Sequence, residues 1–311
     1  MIDSPSAAFP LIAVDWGTTN RRAYLIDASG AIVDRREDNL GILGVPPKGF
    51  GNALCGLIDG WRDVRSAGPP VLMSGMVGSR QGWIEATYAQ CPVDPNSLAT
   101  NLVSVPDLED IWIVPGVCLL PAGERRDVMR GEEIQVFGAL AESGQDNAML
   151  CLPGTHNKWV RVEGGRLTDF VTAMTGEVYR VMCDHSILGA LIQDEAPHDV
   201  EAFARAIEAS GKPGGLLIHL FELRADGLFG TTPEEAQASY LSGLLIGHEI
   251  RDLSPEFTEL GDPVLLVGSD LLSGIYGQAL DQLGIAYESI DVAVATVRGL
   301  TMVWEAAVAG I

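Results

Sequence analysis

The sequence predicts an α/β fold made of two similar lobes. The segments 12–27 and 149–170 share one layout: an apolar strand, a Gly-Thr turn and a further strand. The segment 264–283 adds an apolar strand, a Gly-Ser turn and a helix. Because a strand and turn unit that recurs within one chain indicates duplicated structure, we expect one such hairpin in each lobe.

The remaining elements follow from the spacing of apolar residues. Short apolar runs predict strands, and recurrence every three or four residues predicts helices. Strands are expected at 71–74, 111–114 and 285–290. Helices are expected at 49–65, from about 177 to 191, and at 200–209, 232–252, 271–283 and 294–309. The helix at 232 carries the clearest start signal, Thr-Pro-Glu-Glu, in which Thr caps the helix and Pro takes its first position.

Composition excludes several classes of function. The 311 residues carry a formal net charge of −22, which argues against nucleic acid and anionic membranes as partners. The five cysteines are scattered and lack the spacing of zinc ligands, so neither a disulfide framework nor a zinc site is expected. These features, with no signal peptide or run of 18 apolar residues, favour a cytoplasmic protein. A homodimer is compatible with the sequence.

The first hairpin has the residues of a phosphate-binding turn. Gly17 allows a ligand to approach the backbone closely, and Thr18 and Thr19 offer hydroxyl donors. Asp15, at the end of the first strand, is placed to hold Mg²⁺ directly or through water. An ordinary hairpin with a polar turn explains these residues about as well when they are considered alone.

The second hairpin repeats this chemistry. Gly154 and Thr155 predict a second phosphate turn, and Lys158 adds a point charge. His156 could act as a base, but its position inside the turn favours a hydrogen-bond donor. A glycine between a strand and a helix is weak evidence alone; Gly268 and Ser269, which come after two phosphate turns, predict an adenosine site.

The segment 74–92 predicts contacts with a substrate. Long polar loops after strands of α/β proteins commonly bind ligands, and a solvated connector is the alternative. The candidate substrate-binding residues in this loop are Ser74, Met76, Arg80, Trp83 and Tyr88.

The ordered motifs resemble a known group of ATPases. The phosphate turns at 15–19 and 154–158 and the adenosine turn at 265–269 resemble those of the sugar kinase, actin and heat-shock ATPase superfamily. More closely, the chain is similar to the 2-dehydro-3-deoxygalactonokinase family. Six motifs occur in the same order as in that family: DWGTTNRRA, SGMVGSRQGW, MRGEE, PGTHNKW, MTGE and LSGLLIGHE.

This resemblance implies a two-lobed actin-like ATPase (ribonuclease H-like) fold with the nucleotide in the interlobe cleft. The lobes would be 1–128 and 129–293, with the helix 294–311 packing back on the first. The implied reaction is transfer of phosphate from ATP, with Mg²⁺, to the 6-hydroxyl of 2-dehydro-3-deoxy-D-galactonate.

The resemblance also implies residue roles. A Gly-Asp-Gln at a helix start supplies the catalytic carboxylate in glycerol-kinase-like enzymes, and Gly131-Glu132 takes that place here. Glu132 is therefore the candidate base; Glu133 remains the alternative, and either could simply complement the helix N-terminus. Asp15 and Lys158 complete the catalytic set. Arg22 and Arg80 are the candidates for binding the carboxylate of an acid sugar.

Three other functions remain open from the sequence. A sugar-sensing regulator on this fold would carry a DNA-binding helical segment, and we expect none before the first strand. A phosphohydrolase and a kinase for another sugar or sugar acid, such as 2-dehydro-3-deoxygluconate, share the phosphate motifs. The sequence does not distinguish the epimeric acids, which differ at one hydroxyl.

Overall fold

The computed structural model describes residues 11–65, 68–120, 125–192, 196–257 and 263–310. For residues 254–257 it describes the backbone and not the side chains. Residues 1–10 of the expected first lobe and residue 311 of the closing helix lie outside these ranges.

Strands of the described chain form three sheets. The first has the order β3-β2-β1-β4-β7-β6, the second β12-β11-β10-β13-β14 and the third β5-β8-β9. The strands are β1 Leu11–Trp16, β2 Arg21–Ile26, β3 Ile32–Asp38, β4 Val71–Ser74, β5 Tyr88–Gln90, β6 Val103–Ser104, β7 Ile111–Ile113, β8 Gly116–Leu119, β9 Asp127–Met129, β10 Ala148–Leu152, β11 Asn157–Glu163, β12 Arg166–Ala173, β13 Val264–Gly268 and β14 Tyr287–Asp291.

Helices lie between groups of these strands, and α4 to α7 follow one another without an intervening strand. The α-helices are α1 Phe50–Leu57, α2 Pro95–Ala99, α3 Glu132–Ser143, α4 Thr175–His185, α5 Val200–Ser210, α6 Leu216–Leu228, α7 Glu234–Phe257, α8 Asp270–Gln282 and α9 Val292–Ala309. The predicted α/β class is confirmed.

Three helix predictions were wrong in extent. The predicted helix 49–65 ends at Leu57, because Ile58 leaves helical geometry and Gly60 adopts a φ of 76°. The predicted helix through residue 191 ends at His185, and residues 189–191 form a separate 3₁₀ turn. The predicted helix 232–252 begins at residue 234 and continues to Phe257. Helix α6 was not predicted at all.

The chain divides into two compact units. The first consists of Met1–Asn147, Val160–Phe170 and Ile290–Ile311, and the second of Ala148–Trp159 and Val171–Ser289. This division assigns α3 to the first unit, whereas the sequence-based boundary begins the second lobe at 129. The reason is close packing between α3 and α9. A Cβ at Gly138 would overlap the carbonyl oxygen of Ala295, and one at Gly299 would overlap that of Ile134.

Helix α9 consists mostly of apolar residues. It is long and apolar enough to cross a membrane, with a mean hydropathy of 1.4. Its residues Ala295, Gly299 and Val303 are buried, and the helix packs on α3 and on β1. Packing inside the first unit buries 33% of the residues of this helix.

The core of the first unit positions the first phosphate turn. In β1, Ile12, Val14 and Trp16 are fully buried, and Trp16 contacts Phe50 of α1 with ring centroids 5.6 Å apart. The indole nitrogen of Trp16 donates to the carbonyl of Leu40 at 3.1 Å. Since the strand is fixed up to its last residue, the turn that follows starts from a rigid base.

In the second unit, α5 and α7 pack closely behind the sheet. A Cβ at Gly243 would lie 2.5 Å from the carbonyl oxygen of Phe203, and a Cβ at Gly247 would overlap the hydroxyl oxygen of Ser210. Glycines four residues apart therefore let the two helix backbones approach each other. The packing partner of α7 on this face is thus α5, a helix of the same unit.

Candidate active site

The first phosphate turn connects β1 to β2. The amide of Gly17 donates to the carbonyl of Asn20 at 2.9 Å. The carbonyls of Gly17, Thr18 and Thr19 accept hydrogen bonds from amides of residues 41–43, at 2.8 to 3.2 Å. Thr18 and Thr19 are exposed. The carbonyls are thus turned toward the neighbouring segment, and the threonine side chains are exposed. Phosphate binding by this turn stays a prediction.

Asp15 lies at the carboxyl end of β1, paired with Ser74 of the parallel strand β4. Its carboxylate is 3.7 Å from Arg22 and its side chain is 20% exposed. Burial raises the pKa of Asp15 to about 6; Arg22 lowers this pKa and the charge of Glu132 raises it further. Two carboxylates that repel each other in a partly buried site form a suitable environment for a cation.

These residues fit Mg²⁺ bound jointly with phosphate. Among the described residues, no cluster of three or more His, Cys, Asp or Glu side chains could hold a metal ion. Mg²⁺ commonly takes one or two carboxylates and completes its shell with water and phosphate oxygens. Asp15 would hold the ion, and the charge of Glu132 affects the protonation of Asp15 by raising its pKa.

Glu132 and Glu133 begin α3 and have different environments. Glu132 is partly exposed, and its Oε2 accepts the amide of Arg130 at 3.1 Å. Glu133 is completely buried, and its Oε2 accepts the amide of Gly131 at 2.7 Å. Burial and then the charge of Glu132 raise the pKa of Glu133 to about 8. Access favours Glu132 as the group that can reach a substrate hydroxyl.

Arg130 connects α3 to the substrate loop, a feature that the sequence analysis did not identify. Its guanidinium lies 4.4 Å from the ring centre of Tyr88, and Nη2 donates to the carbonyl of Ala86 at 2.7 Å. The side chain is 8% exposed, and Gly78 leaves room for Nη1. Its positive charge also lowers the pKa of Glu133. Arg130 therefore stabilises both the loop and the first turn of α3.

The predicted substrate residues have very different accessibility. The side chain of Arg80 is 87% exposed and pairs with Glu85 at 3.4 Å, and Tyr88 is 43% exposed. Ser74 is buried, and its hydroxyl lies 3.5 Å from the carbonyl of Val14. Met76 and Trp83 pack partly buried against the core of the first unit. Of this set, Arg80 and Tyr88 present the most side-chain surface.

The two adjacent arginines of β2 also differ. Arg21 is buried, bonds both oxygens of Asp38 at 2.8 Å and donates to the carbonyl of Ala53 at 2.7 Å. Arg22 is 35% exposed, between Asp15 and Glu37. The side chain of Arg21 is thus held by contacts within the fold, and Arg22 is the arginine beside Asp15, the candidate metal-binding carboxylate.

The second phosphate turn connects β10 to β11. The amide of Gly154 donates to Oδ1 of Asn157 at 2.6 Å. Thr155 and His156 are exposed, and the carbonyl of Thr155 accepts the amide of Glu177 at 2.9 Å. The imidazole of His156 bonds the carboxylate of Glu177. The start of α4 therefore holds this turn, and His156 is already engaged as a hydrogen-bonding group.

Lys158 follows the turn and is 4% exposed. Its ammonium group donates to the carbonyl of His156 at 3.3 Å. The positive charge thus lies directly behind the turn, where it favours an anion. The predicted role of Lys158 in phosphate binding stays a prediction.

The second unit also contains a cavity of about 370 Å³. Its lining includes Gly154 of the phosphate turn, Tyr179, His198, and Leu271 and Tyr276 of α8. Gly268 ends β13, and the hydroxyl of Ser269 caps α8 by accepting the amide of Leu272 at 3.5 Å. An apolar cavity of this volume beside a phosphate turn is suited to a nucleoside.

Comparison with known proteins identifies the family. A family model described as 2-keto-3-deoxy-galactonokinase matches residues 15–303. The chain belongs to this family. The match begins at Asp15 and spans both phosphate turns, so it includes all the candidate site residues described above.

Two curated relatives and one solved structure are similar over nearly the whole chain. The 2-dehydro-3-deoxygalactonokinase of Escherichia coli (strain K12) is 35% identical over 88% of this chain and 90% of its own. A protein of Rhizobium meliloti (strain 1021), named probable 2-dehydro-3-deoxygalactonokinase, is 37% identical over 93% and 94%. A crystal structure from Sinorhizobium meliloti, described as a protein of the same kind, has a TM-score of 0.88 at 34% identity, covering 95% of this chain and 98% of its own.

The predicted actin-like fold is confirmed. Besides the Sinorhizobium structure, component A of the (R)-2-hydroxyglutaryl-CoA dehydratase from Acidaminococcus fermentans matches 96% of the chain with a TM-score of 0.54. At 13% identity this second match concerns the fold alone.

Proposed function

We propose that the chain transfers the γ-phosphoryl group of ATP, in the presence of Mg²⁺, to the 6-hydroxyl of 2-dehydro-3-deoxy-D-galactonate in the cytoplasm. Membership of the family makes the chain an ATP-dependent kinase that acts on 2-dehydro-3-deoxygalactonate. Beyond family membership, we infer which hydroxyl accepts the phosphoryl group, that Mg²⁺ takes part, and which residues act in the reaction.

One observation carries these residue roles. Gly75 lies between Asp15 and the start of α3: a Cβ on Gly75 would be 3.3 Å from Oδ1 of Asp15, and a Cβ on Gly131 would be 3.1 Å from the Cα of Gly75. The charge of Glu132, the next residue, accordingly raises the pKa of Asp15. Phosphoryl transfer requires mainly positioning and neutralisation of charge, together with a group that accepts the proton of the attacking hydroxyl. A metal-binding carboxylate next to a partly exposed carboxylate meets both requirements.

The step then proceeds as follows. The 6-hydroxyl oxygen attacks the γ-phosphorus and a new P–O bond forms, while the bond from this phosphorus to the β,γ-bridging oxygen breaks and ADP leaves. Glu132 accepts the hydroxyl proton. Asp15 would hold Mg²⁺, which would supply neutralisation of the phosphate charge. The threonine turns orient phosphate oxygens by hydrogen bonds.

The acid group of the substrate calls for a cation. Arg22 and Arg80 are the proposed partners of the substrate carboxylate. The exposure of the Arg80 side chain supports this role for Arg80, and the position of Arg22 beside Asp15 supports it for Arg22. A guanidinium can bind a carboxylate through two parallel hydrogen bonds, which a neutral sugar cannot match.

Analysis of the reaction product tests the proposal. The acid sugar would be incubated with ATP and Mg²⁺, and proton–phosphorus NMR would locate the new ester. We expect phosphorus coupling to the C6 protons and loss of turnover when EDTA is added. Coupling at another carbon would refute the proposed acceptor hydroxyl, and full activity in EDTA would refute the role of Asp15 in holding a metal.

A further inference from the structure

Glu249 is a buried carboxylate on α7 surrounded by hydrogen-bond donors. Its side chain is 7% exposed. Oε1 accepts the indole N–H of Trp159 at 2.6 Å, and Oε2 accepts the amide Nδ2 of Asn157 at 2.7 Å. Oε2 also accepts the hydroxyl of Tyr276 at 2.9 Å and that of Thr175. These groups come from β11, α8 and α4, so the carboxylate connects three elements to α7.

The donors around Glu249 favour an ionised carboxylate at this position. The indole of Trp159 can only donate, and it faces one oxygen, while the amino group of Asn157 faces the other. A neutral glutamine would point its own N–H groups at one of these two donors in either orientation. Burial raises the pKa of Glu249, and its four hydrogen bonds act to lower this pKa. The donors therefore favour the charged form against the effect of burial.

The contact with Asn157 reaches the second phosphate turn directly. Because Nδ2 of Asn157 is held by Glu249 and by the hydroxyl of Tyr276, Oδ1 faces the amide of Gly154 and accepts it at 2.6 Å. This hydrogen bond fixes the first residue of the turn. A flip of the Asn157 amide would break it.

The contact with Thr175 fixes the other side of the same turn. Thr175 is the first residue of α4, and the next residue, Gly176, lies so close to the turn that a Cβ would overlap the carbonyl of Gly154. The amide of Glu177 then bonds the carbonyl of Thr155. Glu249 thus holds both the strand that leaves the turn and the helix that packs on it.

We propose that Glu249 is a positioning residue whose charged carboxylate sets the shape of the second phosphate turn, so that it contributes to binding of the nucleotide phosphates more than of the nucleoside. This inference rests on the proposed nucleotide site and extends it to a residue that touches neither ATP nor the acid sugar. The residue acts through Asn157 and Thr175.

Nucleotide binding to E249Q tests the inference. Isothermal titration calorimetry would give dissociation constants for adenosine, AMP, ADP and MgATP with wild type and variant. An unsatisfied buried donor disturbs this network, so we expect ADP and MgATP to bind about tenfold or more weakly. Binding of adenosine should change by less than about threefold, because Asn157, Thr175 and Tyr276 supply only part of the cavity lining. E235Q, an exposed glutamate on the same helix, is the matched control and should bind all four as wild type does.

Equal weakening of all four ligands would overturn the inference, because a general structural defect acts on nucleoside and phosphates alike. No weakening would overturn it as well. If E249Q does not fold, T175V removes a single donor with nearly the same shape. Because Thr175 also lines the cavity, adenosine binding should weaken slightly, and binding of ADP and MgATP should weaken by a few-fold more. Equal weakening for adenosine, ADP and MgATP would again contradict the inference. Binding requires no acceptor, so failure of the acid-sugar assay would not affect this result.

Discussion

Replacing Glu133 with glutamine should change how stability depends on pH. Glu133 is completely buried at the start of α3, and burial and the nearby charge of Glu132 raise its pKa from 4.5 to about 8. In the unfolded chain the carboxyl ionises near 4.5. Between these two values the folded protein holds a proton that the unfolded chain has released. The contribution of the Glu133 carboxyl to the free energy of unfolding is therefore fully present below pH 4.5 and is lost as pH rises to 8.

The magnitude follows from the size of the shift. One bound proton gives a slope of about 1.4 kcal/mol per pH unit, and the whole interval amounts to on the order of 5 kcal/mol. Glutamine has nearly the same shape, and its carbonyl can accept the amide of Gly131 as Glu133 does. E133Q should thus lose this slope and become more stable than wild type near pH 8.

Urea unfolding between pH 5 and 8.5, followed by tryptophan fluorescence, measures this effect. Five of the six tryptophans lie in the first unit, as Glu133 does, so the signal reports mainly on that unit. E142Q, an exposed glutamate on the same helix, should follow wild type. Parallel pH profiles for E133Q and wild type would refute the reasoning, since they would mean that Glu133 is ionised in the folded protein throughout this range.

Three further substitutions test the site and its support. E132Q should lower kcat by about 10² to 10⁴ with little change in ATP affinity, because it removes the proton acceptor; full activity would place the base elsewhere. D15N should raise the Mg²⁺ concentration needed for half-maximal rate and abolish any loss of activity that wild type shows as pH falls through about 6. An unchanged Mg²⁺ titration would argue against that role. G299A should destabilise the first unit by about 1 to 3 kcal/mol, since its Cβ meets the backbone of α3. G274A on α8 has open space and should be neutral or stabilising, so equal thermal shifts for both would contradict the packing argument.

The fold was predictable where local pattern determines it. Both Gly-Thr hairpins, the strand at 71–74 and the helix after Ser269 follow from apolar runs and turn residues within a few positions of each other. Helix α6 was missed because its apolar residues do not form one stripe. Leu217 and Phe221 are exposed, while His219 and Leu223 are buried. Its helical state depends on packing against α7, which the sequence does not display.

The candidate site was predictable only in part, for a similar reason. Glycines, threonines and the acidic residues at turns mark phosphate and metal chemistry by type and order, which is how Asp15 and Glu132 were selected. Glu249 is separated from Asn157 by 92 residues, and nothing local distinguishes it from a solvated helical glutamate. Its burial, like that of Glu133, is a property of the assembled unit. The sequence marks Glu249 and Glu133 only through the family motifs that contain them, LSGLLIGHE and MRGEE.

Initial rates with a panel of acceptors test the central claim most directly. ADP release would be measured with MgATP and each of 2-dehydro-3-deoxy-D-galactonate, its gluconate-derived epimer and a neutral hexose. Family membership and the proposed cation for the carboxylate predict the highest kcat/KM for the galactonate-derived acid and little turnover of the hexose. Turnover confined to the neutral hexose would contradict the account.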